Sequence, residues 1–537
     1  MIPERGATGW RAGLRAAALD GRAPLALAAA FLLLELFFLD RLKIPGYVES
    51  FFCEVAYHLN PDFNGRMAPD LPWGLDWSLG VGRIFLLVHH LFYRIFGLGI
   101  YSCRLVSYVC NLLHLFLIYR WARVYFDPTI ARLSVFFLAV SAPLWFLTNY
   151  NGNYYAMIGL FSFLSFFFLS RVQLEGRARD AFGAGLCSGL AVDVHYRCVI
   201  IVLATWVSLL LSNRKGERRL WLALGAGSLL AFAWWTSLNV LPVGLHNYLT
   251  IVMPMAAKDG GDFSWSLALP EFRFFVRLAT RLPGALDTGL WLLLIPLALR
   301  APRPQRERRP LATMLRWHAV LFVSFSILER SIREDITLFY APYLSILCAL
   351  GFRRLSEKRP SWSIGLWAAV LLFVVSEYSI FLYRHSNLDT AAYYQKLRAA
   401  VRPGSVVLGS VHYWFAFPDQ PYYGGPYYLN SLSYVQGELG LPQELKLIVK
   451  YSSSGEAYVA LLKVLKKRNI EFVIGCEHLK SCLELFAPGG VLPPKNFALI
   501  ATIEDPYLGR RGLEEGDGRK FKASYTTRIY RLVSYEP

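Results

Sequence analysis

The chain has 537 residues, of which 55% are hydrophobic and 18% charged, and its mean hydropathy is +0.36. Soluble proteins average roughly 45–50% apolar and 25% charged residues, so this composition excludes an ordinary soluble enzyme and a disordered or disulfide-stapled chain. A net charge of +18 would indicate nucleic-acid binding in a soluble protein. Here the basic residues occur between apolar blocks, where they set membrane topology. We therefore expect a polytopic α-helical membrane protein that contacts membrane lipids and binds no nucleic acid.

The apolar blocks predict about eleven membrane-spanning helices, because a span needs about 20 mainly apolar residues. In chain order these are residues 23–39, 105–119, 131–147, 154–170, 182–194, 198–212, 220–243, 285–299, 317–328, 336–352 and 363–382. The first follows a basic leader and is not followed by a small-residue cleavage site. This pattern indicates an uncleaved signal anchor with a cytoplasmic N-terminus.

A further apolar segment, residues 79–96, contains Arg83, His89, His90 and Arg94. These polar groups predict an outer juxtamembrane helix that lies at the membrane interface instead of crossing. If this segment does not cross, every basic connection falls on the cytoplasmic side, as the positive-inside rule requires. The remaining connections then lie outside: residues 40–101, 148–153, 244–284 and 329–335.

Residues 385–537 contain no segment that could span a membrane, and short β-rich runs alternate there with helical stretches such as 456–468. The β-rich runs are 405–408, 446–450, 472–475, 497–502 and 527–533. This alternation predicts a small external α/β domain. We therefore expect a transmembrane domain over 1–384, whose first outer loop is 40–101, and an extracytoplasmic domain over 385–537.

The eight cysteines show no spacing typical of a metal site. Five of them lie within apolar blocks and are predicted to be small buried residues: Cys103, Cys110, Cys187, Cys198 and Cys348. No set of residues satisfies a divalent metal, so we predict no metal and no cofactor.

Two carboxylates in the first outer loop are candidate catalytic groups. Glu49 and Glu54 are five residues apart on a predicted short helix that is otherwise apolar. A carboxylate at an apolar interface tends to have a raised pKa and can act as a general base. The alternative is that both are solvated charges on an amphipathic helix.

Polar residues at the outer ends of later spans are candidate substrate-binding groups. Asn151, Asn153 and Tyr154 supply amides and a phenol, which suit sugar hydroxyls, although an aromatic belt with a turn would show the same pattern. His195 and Arg197 lie at an outer turn between two spans.

The outer connection 329–335 carries two arginines and precedes a tyrosine. Arg330 and Arg333 are three residues apart, so they share one helix face and could hold a phosphate. They could equally pair with the neighbouring Glu and Asp residues. Tyr340 opens the span that follows.

Four short motifs occur in the order found in a known superfamily: Cys53-Glu54-Val-Ala-Tyr57, then Ile95-Phe96-Gly97 with Arg104-Leu105, then His195-Tyr196, then Tyr340-Ala-Pro342. The layout resembles the GT-C superfamily of membrane glycosyltransferases, most closely the polyprenyl-phosphate mannosyltransferase and aminoarabinose-transferase group. The resemblance covers about the first 385 residues. Two acids of the family pattern are replaced. Cys53 stands where an Asp is common, and Asn151 and Asn153 stand in the second outer loop, where the family often has a second acid.

The resemblance implies an enzyme of the cell envelope that uses a polyprenyl-phosphate sugar donor and a glycan, lipid or protein acceptor. Glu54, or Glu49, would take the proton of the acceptor hydroxyl in a single inverting displacement. Arg197, Arg330 and Arg333 would offset the charge of the leaving lipid phosphate.

The absent Asp leaves other interpretations open: a different donor, or a non-catalytic assembly subunit. A lipid-linked polymer ligase would share the donor and differ in the acceptor. A transporter is another alternative, but transporters carry polar or broken helices at mid-membrane depth. Here the polar residues gather at one face, which favours surface chemistry.

Overall fold

The structure is a computed structural model. It describes residues 21–40, 53, 56–57, 82–141, 154–212, 214–241, 245–247, 284–300, 304–328, 337–385, 390–409, 411–418, 420–424, 462–463, 465–466, 468–476, 495–505 and 525–536.

Helices dominate these ranges. They are α1 (Arg22–Phe38), α2 (Arg83–Phe96), α3 (Ile100–Tyr125), α4 (Pro128–Ala139), α5 (Tyr155–Glu175), α6 (Ala178–Val194), α7 (Val199–Leu210), α8 (Arg218–Trp235), α9 (Gly284–Arg300), α10 (Gln305–Leu328), α11 (Thr337–Lys358), α12 (Pro360–His385) and α13 (Thr390–Ala399). A 3-10 turn, Tyr196–Cys198, joins α6 to α7, and a π-helical segment, Thr236–Val240, extends α8. Each predicted span overlaps one of α1 and α3–α12, and the predicted juxtamembrane helix coincides with α2.

Three helices in the described ranges are long and apolar enough to cross a membrane: Ile100–Tyr125, Tyr155–Glu175 and Arg218–Val240. In the last of these, Leu222, Leu229 and Phe232 are more than half exposed. A helix whose outer face is this apolar is typical of contact with lipid. The number of helices that cross the membrane, and the side on which each end lies, stay predictions.

Small residues set the packing of α6 against α8. Gly185 lies directly against the backbone of Leu224, and Gly227 lies directly against the backbone of Phe182, so a Cβ at either glycine would overlap the facing helix. Close approach through small residues is the usual basis of helix association in membranes. As a result, the last turns of α6 and α8 lie side by side.

Internal contacts divide the chain into two compact units. The first, the helical unit, is Met1–Leu39, Gly80–Phe85 and Arg104–Phe381; the second is Asp40–Leu79, Leu86–Cys103 and Leu382–Pro537.

The second unit contains a five-stranded mixed sheet, which confirms the predicted small domain with β structure. Its strands are β1 (Val407–Gly409), β2 (Tyr422–Gly424), β3 (Phe472–Cys476), β4 (Phe497–Asp505) and β5 (Tyr525–Leu532), in the order β2-β1-β3-β5-β4. Strand β1 is parallel to β2 and β3, whereas β5 is antiparallel to β3 and β4. Strand β2 was not predicted. The predicted strand 446–450 lies outside the described residues, as does most of the predicted helix 456–468.

Ion pairs join several helix ends on the side of the helical unit where the predicted basic loops begin. Arg353 of α11 contacts Asp127, which precedes α4, and its Nη2 lies 2.9 Å from Oε2 of Glu307 in α10. Asp127 also accepts a hydrogen bond of 2.8 Å from the backbone N–H of Ile130, and so caps α4. Glu307 is only 2% exposed. This cluster of Arg353, Asp127 and Glu307 is called the ion-pair cluster below.

Two further contacts extend the same side of the unit. The hydroxyl of Tyr125, at the end of α3, donates to Oε1 of Glu175 at the end of α5, over 3.1 Å. Nη1 of Arg214 lies 2.6 Å from Oε1 of Glu217, the residue before α8. The first of these contacts joins the ends of α3 and α5, and the second is local to the connection before α8. The side of the membrane on which these connections lie stays a prediction.

Candidate active site

A buried carboxylate at the end of α6 accepts hydrogen bonds from four donors in two other chain segments, the start of α2 and the end of α8 with its π-helical extension. Oδ1 of Asp193 accepts from the backbone N–H of Arg83, at 3.3 Å, and from Nδ2 of Asn239, at 2.8 Å. Oδ2 accepts from the backbone N–H of Ile84 and from Nε1 of Trp234, both at 3.1 Å. Asp193 is fully buried. We call these five residues the Asp193 junction.

The backbone beside this carboxylate is in close contact as well. The backbone N–H of Gly82 donates to the carbonyl oxygen of Val194 over 3.2 Å. A Cβ at position 82 would overlap the backbone carbonyl of Asp193. Because glycine has no Cβ, the backbone at the start of α2 can lie in direct contact with the backbone at the end of α6.

Next to the junction, aromatic rings stack around His195. Its imidazole lies 4.5 Å from the ring of Tyr154 and 4.6 Å from that of Tyr196, measured between ring centroids. Nδ1 of His195 accepts from the backbone N–H of Arg197 over 3.3 Å, and the Arg197 guanidinium lies 5.9 Å from the Tyr196 ring centroid. Tyr154, His195, Tyr196 and Arg197 form what we call the aromatic cluster.

The start of α2 reaches this cluster. The ring of Phe85 lies 6.3 Å from that of Tyr154, in an edge-to-face arrangement. Tyr155 extends the stack on the other side, with its ring centroid 4.5 Å from Tyr154. Stacked rings with polar edges are suited to a sugar, which presents a flat apolar face together with hydroxyl groups. The guanidinium beside them can pair with a phosphate.

The structure therefore brings together three of the predicted site residues, Tyr154, His195 and Arg197. A fourth, Tyr340, is buried at the start of α11, where its ring lies 5.0 Å from that of His318 and 6.1 Å from that of Phe322 in α10. Six predicted site residues lie outside the described residues: Glu49, Glu54, Asn151, Asn153, Arg330 and Arg333. The roles of all ten stay predictions.

Cys103 is buried, as predicted, and it also forms a disulfide with Cys53 of the first outer loop, which the sequence did not indicate. The other four cysteines predicted to be buried are buried as well. The disulfide belongs to the second unit. Cys53 also stands immediately before Glu54 in the sequence, so the predicted base is covalently next to this cross-link.

Another contact of the same loop lies in the second unit. The ring of Tyr57 lies 5.8 Å from that of Trp414 and 6.4 Å from that of Tyr93 in α2. The carbonyl oxygen of Ala56 lies 3.0 Å from Nδ1 of His90, also in α2. The described part of the loop is therefore packed against α2 by aromatic and polar contacts.

Sequence reasoning missed the Asp193 junction. The available signal was an acid at the end of an apolar span, which is costly to bury and usually has a purpose. What it could not reveal was the partners, because Arg83 lies 110 residues away and Asn239 lies 46 residues away. Among the described residues, no group of three or more His, Cys, Asp or Glu side chains could hold a metal ion.

With this geometry in view, known proteins provide a comparison. Residues 84–236 match the family model described as dolichyl-phosphate-mannose-protein mannosyltransferase. The chain is similar to the crystal structure of ArnT from Cupriavidus metallidurans bound to undecaprenyl phosphate, with 15% identity, a TM-score of 0.59 and coverage of 98% of each chain. The same protein in the apo state matches with 15% identity and a TM-score of 0.58, over 94% of this chain and 97% of that one. No curated protein sequence matches.

These matches confirm the resemblance to the GT-C superfamily that the motifs indicated. At 15% identity, the likeness to ArnT shows a shared fold. The mannosyltransferase family match begins at Ile84, the second residue of α2, and includes the aromatic cluster and Trp234. It supports the expected class of protein, a membrane glycosyltransferase.

Proposed function

We propose that the protein transfers a sugar from a polyprenyl-phosphate donor to an acceptor hydroxyl, on the extracytoplasmic face of the cell (inner) membrane, by one inverting displacement. The observation that carries this proposal is the aromatic cluster. The sequence places Tyr154 at one predicted outer connection and His195 and Arg197 at another. In the structure these residues lie together at one end of the helices. Their chemistry matches the two halves of such a donor, a sugar and a phosphate.

The donor class has independent support. The structure of ArnT that shares this fold is described as bound to undecaprenyl phosphate. In our proposal, the guanidinium of Arg197 pairs with the phosphate, together with Arg330 and Arg333 from the later outer connection. Asn151 and Asn153 bind sugar hydroxyls beside Tyr154, and Tyr340 belongs to the same binding site.

Glu54 is the proposed general base. The acceptor oxygen attacks the anomeric carbon, its proton passes to the Glu54 carboxylate, and the bond from that carbon to the phosphate oxygen breaks. The polyprenyl phosphate leaves with an added negative charge, which the arginines offset. One displacement inverts the anomeric configuration.

The Cys53–Cys103 disulfide supports the proposed side of the membrane. Structural disulfides persist in oxidising compartments such as the bacterial periplasm and are rare in the cytosol. The bond also accounts for one departure from the family pattern, since the residue at the usual Asp position is committed to a cross-link. The carboxylate of the next residue, Glu54, is then the acid available for the role of base.

The test is sugar transfer in isolated membranes, using radiolabelled polyprenyl-phosphate sugars. We expect Glu54→Gln to lower kcat by about 10²-fold or more, because loss of a general base typically costs 10²–10⁴-fold. The KM for the donor should change little, since the amide keeps the size of the side chain. Glu357→Gln, an exposed acid near the ion-pair cluster, is the matched control and should retain wild-type turnover.

The result for Glu49 completes this test. Loss of turnover with Glu49→Gln and not with Glu54→Gln would transfer the role of base to Glu49. Full turnover in both variants would overturn the mechanism.

The replacement at Cys53 also favours one alternative, a non-catalytic assembly subunit with a retained glycosyltransferase fold. Such a protein would bind polyprenyl phosphate and transfer no sugar from any labelled donor. A transporter would instead move lipid or solute in proteoliposomes, where the proposed enzyme shows no flux.

A further inference from the structure

We infer that Asp193 is a positioning residue: it holds the aromatic cluster in the arrangement that binds the lipid-phosphate donor. This inference rests on the proposed function of the cluster. Asp193 does not belong to the cluster itself, because its carboxylate is occupied by the four donors of the Asp193 junction.

The first argument concerns hydrogen-bonding capacity. An ionised carboxylate is an acceptor only, and its two oxygens can accept about four hydrogen bonds. Asp193 has two donors on each oxygen, so its described partners use this capacity in full. An amide in its place would turn an NH2 group toward two of the donors. No neutral side chain of the same size can therefore reproduce the junction.

The second argument concerns α2. The first N–H groups of a helix have no acceptor within the helix and carry the positive end of its dipole. The backbone N–H groups of Arg83 and Ile84 are of this kind, and the fully buried Asp193 carboxylate accepts both. Asp193 thus acts as a cap for α2 although it belongs to α6. This charge-assisted contact fixes where α2 begins.

The third argument concerns the π-helical segment. Trp234 and Asn239 are five residues apart, which in an α-helix would separate their directions by about 140° at 3.6 residues per turn. The wider turn of Thr236–Val240 allows both side chains to reach the same carboxylate. Such π-segments occur frequently at functional sites. The local geometry of α8 is therefore matched to Asp193.

The last argument connects the junction to the cluster. His195 follows Asp193 by two residues, and its backbone N–H still donates to the carbonyl oxygen of Ala191, over 3.1 Å. On the other side, Phe85 follows the capped residues of α2 and contacts Tyr154. His195 and Phe85, which both contact the ring of Tyr154, are thus close in sequence to residues of the Asp193 junction. A shift of residues 82–85 against the end of α6 would change the spacing between Tyr154 and His195.

The experiment measures donor binding and turnover in the full-length protein in detergent. We expect Asp193→Asn to raise the KM for the polyprenyl-phosphate sugar about tenfold or more, because misplacement of about 1 Å can cost up to 10²-fold. The KM for the acceptor should stay within about threefold of the wild type, since only the donor contacts the cluster. Equilibrium binding of undecaprenyl phosphate should weaken by the same factor as the donor KM rises.

Two further variants keep the test decisive. Ser188→Ala is the matched control: Ser188 is also buried in α6, but its hydroxyl donates to the carbonyl oxygen of Gly185 in its own helix, so all constants should stay at wild-type values. If Asp193→Asn fails to fold, Asn239→Ala removes one of the four donors and should still weaken donor binding.

Three outcomes would overturn the inference or separate it from the proposed function. A lower melting temperature with unchanged donor binding would reduce Asp193 to a purely structural role. Equal increases in both KM values would also contradict a role confined to the donor. Weaker undecaprenyl phosphate binding in a protein whose wild type transfers no sugar would support the positioning role while refuting the enzymatic function.

Discussion

At one end of the helical unit, a single carboxylate organises backbone N–H groups, an indole and an amide beside stacked rings; at the other end, arginines pair with carboxylates. Asp193 accepts four hydrogen bonds from neutral donors, whereas Arg353 lies between Asp127 and Glu307. Both ends bury acidic groups. They differ in what compensates the charge, because helix N–H groups and side-chain dipoles do so at the first end and a guanidinium does so at the second.

This difference predicts how amino-acid substitutions at each end affect the protein. Hydrogen bonds from backbone N–H groups and from the Trp234 and Asn239 side chains fix atomic positions closely, because a hydrogen bond is strong only over a small range of distances and angles. Long arginine side chains can adjust to a shifted partner, so an ion pair holds helices together without setting a precise spacing. We therefore expect substitutions at the first end to change kinetics and those at the second to change stability.

The largest effect is expected from Gly82→Ala. The added methyl group would overlap the carbonyl of Asp193, so the backbone at the start of α2 must move away from the end of α6. We expect kcat/KM for the donor to fall about 10²-fold, the loss associated with misplacement of about 1 Å. Steady-state transfer assays measure this change. Gly289→Ala is the control, because a Cβ at position 289 of α9 meets open space; equal activity in both variants would contradict the close contact.

Arg353→Met should act on stability. Removing the guanidinium leaves the buried Glu307 carboxylate near Asp127 without its cation, and breaking a buried pair in this way typically costs 3–5 kcal/mol. Because the Arg353 side chain is 25% exposed to solvent, we expect a smaller decrease in the free energy of unfolding, about 2 kcal/mol. Thermal unfolding in detergent measures it. KM and kcat of the folded fraction should not change.

The control for this variant is the neighbouring residue. Arg354 pairs with the exposed Glu357, at 3.3 Å, so Arg354→Met should leave the melting temperature almost unchanged. A changed donor KM in Arg353→Met would remove the distinction between the two ends.

The smallest effect is expected from Glu217→Gln. Hydrogen bonds from Arg214 and Arg219 lower the pKa of the Glu217 carboxyl below its ordinary value of 4.5. A lowered folded-state pKa adds stability above the unfolded-state value, and this contribution is lost as the pH falls through the lowered pKa. The melting temperature should therefore drop by about 1–2 °C at neutral pH and match the wild type in strong acid. An undiminished difference in acid would contradict this origin.

Sequence reasoning located the helices well, because a run of about 20 apolar residues has few alternatives to a helix in lipid. It also selected Tyr154, His195 and Arg197, since aromatic and polar groups at the ends of apolar spans are conspicuous. Their meeting point depends on which helices are neighbours, and the contact of α6 with α8 through Gly185 and Gly227 is not apparent from either helix alone.

The misses share a physical cause. Cys103 occurs in an apolar stretch, and no local pattern distinguishes a small buried residue from one bonded to Cys53, fifty positions earlier. Strand β2 has only three residues, and its pairing with β1 identifies it as a strand. Asp193 was visible as a charge, but its role depends on Ile84 and Trp234, which are distant in sequence. In each case the decisive information is a long-range pairing.

The bond between Cys53 and Cys103 has a practical consequence for producing this protein. A recombinant host must deliver the first loop to a compartment with a thiol oxidase, and purification buffers should omit dithiothreitol or phosphine reductants. Protein made under reducing conditions would differ in mass by only two hydrogen atoms, but it would lack the disulfide next to the proposed base.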